Sequence, residues 1–130
     1  MEKPVIFLQK YELDELLISR DISEDNLEEK DLSLTAKVAI TEDKMHGAVK
    51  LVVLLVDREH GKKLTATITG YFDLNIEENI FEVLYVNGTA ILYPYLRSIV
   101  SIVSAIDSSE AMLLPTINVL ELLDDSKTID

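Results

Sequence analysis

The sequence has no cysteine and is poor in histidine, glycine and basic residues. Without a thiol, the chain excludes disulfides, zinc–thiolate sites and iron–sulfur clusters. The 24 acidic residues outnumber the 12 basic ones and give a formal net charge of -12. A surface of that sign repels phosphate backbones and anionic membranes. We therefore expect no nucleic acid partner.

Long hydrophobic runs are also missing. The longest strictly apolar run is Leu51–Val56, far shorter than the ~20 residues that a transmembrane helix requires. The apolar stretch Val5–Leu8 is too short for the core of a signal peptide. We expect a cytoplasmic protein without membrane insertion.

The length and composition fit one folded unit. The chain has 130 residues, and compact domains typically contain about 100–150. Hydrophobic residues make up 48% of the chain and charged residues 28%, a balance that argues against disorder throughout. Since no repeat or flexible linker divides the sequence, we expect a single domain over residues 1–123 and an acidic tail over residues 124–130.

Three segments in the middle of the chain are predicted to be β-strands: Leu32–Thr41, Ala48–Arg58 and Lys63–Leu74, with short turns between them. The first and the third alternate, so that successive side chains point to opposite faces of different polarity. The segment Ala48–Arg58 is apolar on both faces, which indicates a strand buried on both sides or one covered by a partner subunit. The pattern predicts an antiparallel meander.

The chain before the meander is less regular. Residues Val5–Leu13 are interpreted as an extended segment in which Phe7, Gln9, Tyr11 and Leu13 share one face. The charged stretch that follows, Asp14–Asp31, is interpreted as a connection long enough to cross a sheet.

The last third changes to helical spacing, with a broad apolar stripe that ends at Ile106. We predict a helix that begins at Thr89 or Tyr93, bent if it includes Pro94. The preceding Asn87-Gly88-Thr89 is interpreted as a breaker or cap.

Beyond this helix, Met112–Val119 is predicted to be an extended apolar loop, and Leu120–Leu123 the start of a short terminal helix.

Two segments in this region resemble SecB-type export chaperones. Asn87–Arg97 looks like the segment that opens the family's main helix, where a Pro–aromatic pair is followed closely by Arg. Leu113–Val119 resembles the Leu-Leu-Pro-Pro-Ile-Asn-Phe signature, with Thr116 and Val119 in place of a proline and the phenylalanine. Gly70-Tyr71-Phe72 resembles a Gly-Ile-Phe that closes the third meander strand.

The resemblance implies an α+β fold in which a four-stranded antiparallel sheet, with a crossover after strand 1, packs against a long helix. Family members pair edge strands into dimers and stack dimers into tetramers through their helices. They hold non-native polypeptides in apolar grooves without nucleotide and deliver precursors to the SecA motor. The implied function is that of an ATP-independent holdase, a homo-oligomer without cofactor or catalytic activity.

A holdase needs exposed apolar side chains on a soluble surface. The candidates for its polypeptide-binding groove are Tyr71, Phe72, Tyr93, Tyr95, Met112, Leu113 and Leu114. The alternative for each is that it fills the core between sheet and helix, least so for the loop residues Met112–Leu114.

Docking and assembly have their own candidates. Glu15 matches one of the family's motor-docking carboxylates, whereas Thr65 stands where a second is expected. Arg97, on an otherwise apolar helix, is predicted to pair with a carboxylate at an oligomer interface or to extend to solvent. The helical residues Ile99, Ile102 and Val103 complete the predicted interface.

Enzymatic alternatives have little support. His46 and His60 lie in predicted turns without a metal-binding arrangement. The carboxylate pairs Glu77-Glu78 and Asp124-Asp125 are adjacent in sequence, and such neighbours usually point apart. The serines at positions 98, 101 and 104 lack a nucleophile motif. Two alternatives stay open: an adaptor with one dedicated partner, such as a toxin–antitoxin system, and a small-ligand domain with a cavity between sheet and helix.

Overall fold

The computed structural model describes residues 5–20, 31–107, 112–115 and 128–129. Four long strands are β1 (Ile6–Arg20), β2 (Leu32–Ile40), β3 (His46–Asp57) and β4 (Lys62–Leu74). A short strand, β5, consists of Thr128–Ile129. The predicted meander is confirmed, and each of its strands begins and ends within two residues of the expected position.

The strands lie in one sheet in the order β1-β4-β3-β2-β5. The four long strands are antiparallel to their neighbours, and β5 is parallel to β2. The chain therefore crosses over after β1, as predicted. The strand β5 was not predicted, because its residues belong to a segment whose composition indicates a polar tail.

The first strand is longer than its sequence indicates. It continues through Arg20, so the interpretation of residues 14–20 as part of a connection is wrong. These residues lie on an edge strand and stay largely exposed. Because neither face of this part of the strand is fully buried, its side chains need not alternate between apolar and polar. The alternation by which a strand is recognised in a sequence is therefore absent here.

Two bulges interrupt the pairing of β1 with β4. Gln9 and Asp14 are each an extra residue relative to β4. An extra residue moves the following side chains to the opposite face of the strand. The first bulge reverses which residues of β1 point to each face, and the second bulge reverses this again. Only the residues between the two bulges, Lys10–Leu13, therefore lie on the faces opposite to those that a regular strand would give them.

The inversion separates side chains that were expected to share a face. Phe7 lies opposite Asp73 on the outer face of the sheet, which none of the helices among the described residues covers. Tyr11 lies opposite Gly70, and Leu13 also lies on this inner face, which the helix covers. The predicted common face of these residues is therefore wrong.

The core lies between the inner face of the sheet and the helical segment. Its largest fully buried side chains are Leu34, Val38, Val49, Leu51, Val53, Leu64, Ile68 and Phe72 from the sheet and Leu84, Leu92, Leu96 and Val100 from the helices. The alternation in the three meander strands thus corresponds to burial on the helix side.

A short helix that was not predicted, α1 (Ile80–Val83), continues through a π-helical turn (Leu84–Gly88) into α2 (Thr89–Asp107). The predicted helix is confirmed as α2, which begins at Thr89, one of the two expected residues, and includes Pro94. The interpretation of residues 87–89 as a breaker is wrong. A Cβ atom at Gly88 would lie 2.8 Å from Val49 Cγ2. The absence of a side chain at this position therefore permits the π-helical turn to approach the sheet closely.

The stretch Ile80–Ile106 is long and apolar enough to cross a membrane by length and composition. Core helices of soluble proteins meet the same criterion. Here Leu92, Leu96 and Val100 are fully buried and belong to the core shared with the sheet. We therefore interpret the stretch as the core helix of this domain.

After α2, residues Met112–Pro115 are irregular, in agreement with the predicted loop. The remainder of that loop and the predicted helix at Leu120–Leu123 lie outside the described residues.

Candidate polypeptide-binding surfaces

The outward side of α2 carries an apolar stripe that the sheet does not cover. Its exposed side chains are Ile91, Tyr95, Ile102 and Ile106, which recur at helical spacing. Tyr95 is 42% exposed and Ile106 80%. On the neighbouring edge strand, Tyr11 and Leu13 are also exposed. We call these six residues the helix–β1 surface.

The two elements of the helix–β1 surface meet at a pair of tyrosines. The ring centroids of Tyr11 and Tyr95 lie 4.7 Å apart, with their planes tilted by 33°. This spacing is within the range of favourable aromatic pairs. The pair presents two amphipathic rings side by side, suited to contact another chain's apolar side chains.

A second feature is the segment Met112–Pro115, which hydrogen bonds hold against α2. The hydroxyl of Ser104 donates to the carbonyl of Val100 at 2.6 Å and accepts from the amide of Met112 at 2.7 Å. Ser104 and Met112 are both buried. The serine thus occupies a structural position rather than a catalytic one.

Two more side chains of α2 bind the same segment. Tyr93 Oη donates to the carbonyl of Pro115 at 2.9 Å, and Arg97 Nε donates to the carbonyl of Leu114 at 3.3 Å. Burial raises the pKa of Tyr93, and the nearby positive charge of Arg97 opposes that shift. Through their hydrogen bonds to the two carbonyls, Tyr93 and Arg97 position the backbone of the loop.

The held segment and α2 form a cleft of about 460 Å³. Its lining residues are Arg97, Ser98, Ser101, Ile102, Leu113, Leu114 and Pro115. Leu113 is 68% exposed, whereas Leu114 is 3% exposed. Because Arg97 bonds the loop and the side chains of Ile102 and Leu113 remain exposed, this helix–loop cleft suits an apolar side chain of a partner.

A groove of about 670 Å³ lies on the outer face, near the first bulge. The amide of Gln9 donates to Asp73 Oδ2 at 2.6 Å, and His46 Nδ1 lies 2.9 Å from Asp73 Oδ1. Lys10 Nζ lies 5.0 Å from the centroid of the Tyr71 ring, which is itself exposed. Charged side chains thus lie at the rim of this groove, beside the exposed ring of Tyr71.

The predicted groove residues divide into two groups. Phe72, Tyr93, Met112 and Leu114 are buried in the core, which is the alternative that the sequence left open for them. Tyr71, Tyr95 and Leu113 are exposed, but Tyr71 lies on the outer face, whereas Tyr95 belongs to the helix–β1 surface and Leu113 to the helix–loop cleft, two features that meet at Ile102. The structure therefore does not bring the predicted set together.

The predicted interface residues lie on α2, where Ile102 is exposed and Ile99 and Val103 are half-buried. Arg97 is exposed and donates to the carbonyl of Leu114 within the chain; its pairing with a carboxylate at an oligomer interface stays a prediction.

Glu15, the predicted docking residue, is exposed on the outer face of the sheet. There it lies opposite Thr67 of β4, and Thr65 is the next residue of β4 on the same face.

Residue types that form metal sites are scattered. Within the described part of the chain, no group of three His, Cys, Asp or Glu side chains lies close enough to hold a metal ion.

His60 contacts Asp57 in the hairpin between β3 and β4, and the distance from His60 Nδ1 to Asp57 Oδ2 is 2.9 Å. Burial acts to raise the pKa of Asp57, but the hydrogen bonds from His60 and its charge act in the opposite direction and are larger together. The pKa of Asp57 is therefore lower than its ordinary value.

Sequence reasoning missed several residues of these surfaces. Ile91 and Ile106 lay in the recognised stripe, but helical spacing alone does not say which side packs on the sheet. Tyr11 and Leu13 were missed because a bulge reverses their face. No sequence signal distinguishes Ser104 from the other helical serines.

Neither a protein-family model nor any curated protein matches the sequence. Among solved structures, the chain is similar to the SecB-like chaperone Rv1957 of Mycobacterium tuberculosis, in complex with a ChAD peptide from the HigA1 antitoxin. The TM-score is 0.67 at 14% sequence identity, over 86% of this chain and 87% of that one. The fold is SecB-like. The SecB-like arrangement predicted from two short motifs is thus confirmed.

Proposed function

We propose that this SecB-like protein is an ATP-independent chaperone that holds segments of non-native polypeptides. The observation that carries the proposal is the exposed apolar helix–β1 surface, centred on Tyr11 and Tyr95, beside the helix–loop cleft. The similar mycobacterial chaperone is bound to a peptide, which supports a polypeptide as the partner. The role requires no cofactor or catalytic group.

The exposed surface is suited to reversible holding. Burial of about 400 Å² of apolar surface supplies about 10 kcal/mol at roughly 25 cal/mol per Å². The loss of motional freedom and the ordering of side chains offset several kcal/mol of this. The result is an affinity that captures a loose chain and releases it. The net charge of -12 helps to keep such complexes soluble.

A light-scattering assay tests the proposal. The purified protein is mixed with a chemically denatured client that aggregates on dilution, and we expect scattering to be delayed. The variant Tyr95→Ser should weaken client binding about five- to tenfold, since it removes about 1–1.5 kcal/mol of apolar contact. Phe7→Ser is the matched control because Phe7 is an exposed aromatic residue on the outer face. No delay by the wild type, or equal losses in both variants, would exclude the proposed surface.

We also propose that copies of the chain associate as a dimer or tetramer. The edge strand β1 has 15 residues, and the end of the stripe around Ile102 and Ile106 is exposed. Assembly would cover the backbone edge of β1 and the Ile102–Ile106 end of the helix–β1 surface, and the part of that surface around Tyr95 would remain available to clients. Native mass spectrometry should show a homo-oligomer that Ile102→Asp shifts toward monomer; a wild-type monomer at micromolar concentration would contradict this.

A second candidate is a dedicated adaptor, favoured by the antitoxin peptide in the similar structure. Crosslinking in the native host separates the two roles: one stoichiometric partner supports an adaptor, and many unrelated clients support a general chaperone.

Delivery to a SecA-type motor in the cytoplasm, with docking at Glu15, remains a further proposal. Its test is loss of motor binding in Glu15→Lys.

A further inference from the structure

The helix–loop cleft contains a positive charge without a counter-charge. Arg97 lines the cleft, and none of its other lining residues is acidic. Three other clefts among the described residues each contain an acidic side chain beside their lysines, namely Asp73, Asp43 and Asp14. The helix–loop cleft therefore attracts an anionic group, although the chain as a whole carries a net charge of -12.

The guanidinium group of Arg97 has donors that no described residue uses. It is exposed, and its Nε donates to the carbonyl of Leu114 at 3.3 Å. A guanidinium group carries five N–H donors. No residue that the structure describes accepts from the N–H groups on the two Nη atoms or forms an ion pair with this arginine. These groups are therefore open to a carboxylate, which a guanidinium group binds through two parallel hydrogen bonds.

Two serines add further donors beside the arginine. Ser98 is exposed, Ser101 is half-buried, and both line the cleft. Neither hydroxyl bonds a residue in the described part of the chain. Since Ser101 comes four residues after Arg97, the two side chains lie on the same side of α2. An anion at the guanidinium group is thus within reach of a second kind of donor.

Leu113 supplies an apolar contact next to this charge. Its side chain is 68% exposed, and the following residue, Leu114, provides the carbonyl that Arg97 bonds. The guanidinium group and the Leu113 side chain are therefore separated by about two residue lengths of backbone, on the order of 7 Å. Alternate side chains of an extended chain share one face and lie at about this spacing. The cleft therefore matches an acidic and an aliphatic side chain two positions apart.

We infer that the helix–loop cleft selects client segments in which an acidic residue stands two positions from an aliphatic one. The carboxylate binds Arg97, and the aliphatic side chain packs on Leu113. This inference rests on the proposed chaperone function and names the kind of segment that is held. Because the acidic surface of the rest of the chain repels such segments, their recognition depends on the charge of Arg97.

Fluorescence anisotropy provides the test, with two labelled synthetic peptides as probes. Both have blocked ends, two phenylalanines at one end to contact the helix–β1 surface, and a single leucine among neutral polar residues. One peptide contains glutamate two positions from the leucine, and the other contains glutamine in its place. We expect the full chain to bind the glutamate peptide about threefold more tightly, as for an exposed ion pair.

A third peptide tests the spacing. It contains the glutamate directly next to the leucine, so that the two side chains point to opposite faces of an extended chain. This peptide should bind no more tightly than the glutamine peptide.

Variants of the protein test the role of Arg97. Arg97→Gln should lose the preference for the glutamate peptide, while its amide can still donate to the loop carbonyl. Lys50→Gln is the matched control, because it removes the same charge from an exposed position on the outer face; it should keep the threefold preference. Ser101→Glu should also abolish the preference, because its carboxylate pairs with Arg97 from one turn along α2.

Equal binding of the glutamate and glutamine peptides by the wild type would overturn the inference and leave the proposed function intact. If Arg97→Gln then also lost the homo-oligomer, Arg97 would belong to an interface between copies. If the wild type bound neither peptide, the proposed function would fail together with the inference.

Three other results would also overturn the inference. They are a preference that persists in Arg97→Gln, an equal loss of preference in Lys50→Gln, and binding of a glutamine peptide with a free carboxyl terminus as tight as that of the glutamate peptide. If Arg97→Gln fails to fold, Ser101→Glu and the third peptide decide the outcome.

Discussion

The amide of Met112 donates to the hydroxyl of Ser104 across 2.7 Å, and both residues are buried. This bond fixes the start of the loop against the last turns of α2. The loop then runs past Arg97 and Tyr93, which bind its next carbonyls. The position of Leu113 at the surface is a consequence of these three contacts.

Ser104→Ala should therefore destabilise the protein by about 1–3 kcal/mol, because the buried Met112 amide loses its acceptor. Urea unfolding measures this loss, and hydrogen exchange of the Met112 amide should accelerate. Ser98→Ala is the control, since Ser98 is exposed on the same helix. An Ser104→Ala protein with unchanged stability and a protected Met112 amide would disprove the role of this bond.

Adjacent leucines in the loop should respond in opposite ways. Leu114→Ser should lower stability by about 2–4 kcal/mol, because it removes a buried aliphatic side chain. Leu113→Ser should change stability by less than about 0.5 kcal/mol, as is usual at the surface. The second variant should instead weaken client binding, measured by anisotropy with an unfolded labelled client. Normal client binding by Leu113→Ser would remove the helix–loop cleft from the proposed surface.

Gly88→Ala should destabilise the π-helical turn. The added methyl group would lie 2.8 Å from Val49 Cγ2, and overpacking of this kind typically costs about 1–3 kcal/mol. The higher helix propensity of alanine offsets up to about 1 kcal/mol. In a Val49→Ala background the penalty should shrink, so a double-mutant cycle should yield a coupling energy. Additive effects would show that the two residues do not interact.

Tyr93 should give the protein an alkaline limit of stability. Its folded-state pKa is raised above the ordinary value of 10.0, chiefly by burial. The unfolded chain therefore loses this proton first, so the contribution is complete below pH 10 and is lost as the pH rises through the folded-state pKa.

In Tyr93→Phe the free energy of unfolding should fall less steeply above pH 10 than in the wild type. At neutral pH the variant should lose about 1 kcal/mol with its hydrogen bond to Pro115. Urea titrations at pH 7, 9 and 10.5 test both effects, with the exposed Tyr71→Phe as control. Parallel curves for wild type and Tyr93→Phe would contradict the assignment.

The meander was predictable because the sequences of β2 and β4 alternate, as strands that bury one face must, and because β3 is rich in valine and leucine. The long helix was predictable from its helical spacing, and α2 begins at Thr89 as expected, although α1 and the π-helical turn that precede it were missed. The crossover followed from the length of the connection before the meander and from the resemblance. Gly88 indicated a break because glycine is a poor helix former, while its actual reason is the close approach to Val49. That contact joins residues far apart in sequence, and no local pattern reveals it.

The candidate site was less predictable. Tyr93 and Tyr95 are neighbours in the same motif, yet one is buried and the other exposed. Their difference depends on how α2 is rotated against the sheet. The face of Tyr11 depends on a bulge, which is a property of strand pairing rather than of residue type.

The paired bulges of β1 also constrain how this strand can change in evolution. Loss of the extra residue at either bulge, Gln9 or Asp14, would leave every other residue opposite its present partner on β4 and therefore on its present face. Loss of a residue from the regular stretch Leu16–Arg20 has no adjacent extra residue to compensate for it, and would turn neighbouring side chains to the opposite face. Single-residue deletions should therefore be tolerated better at the two bulges than near the end of the strand.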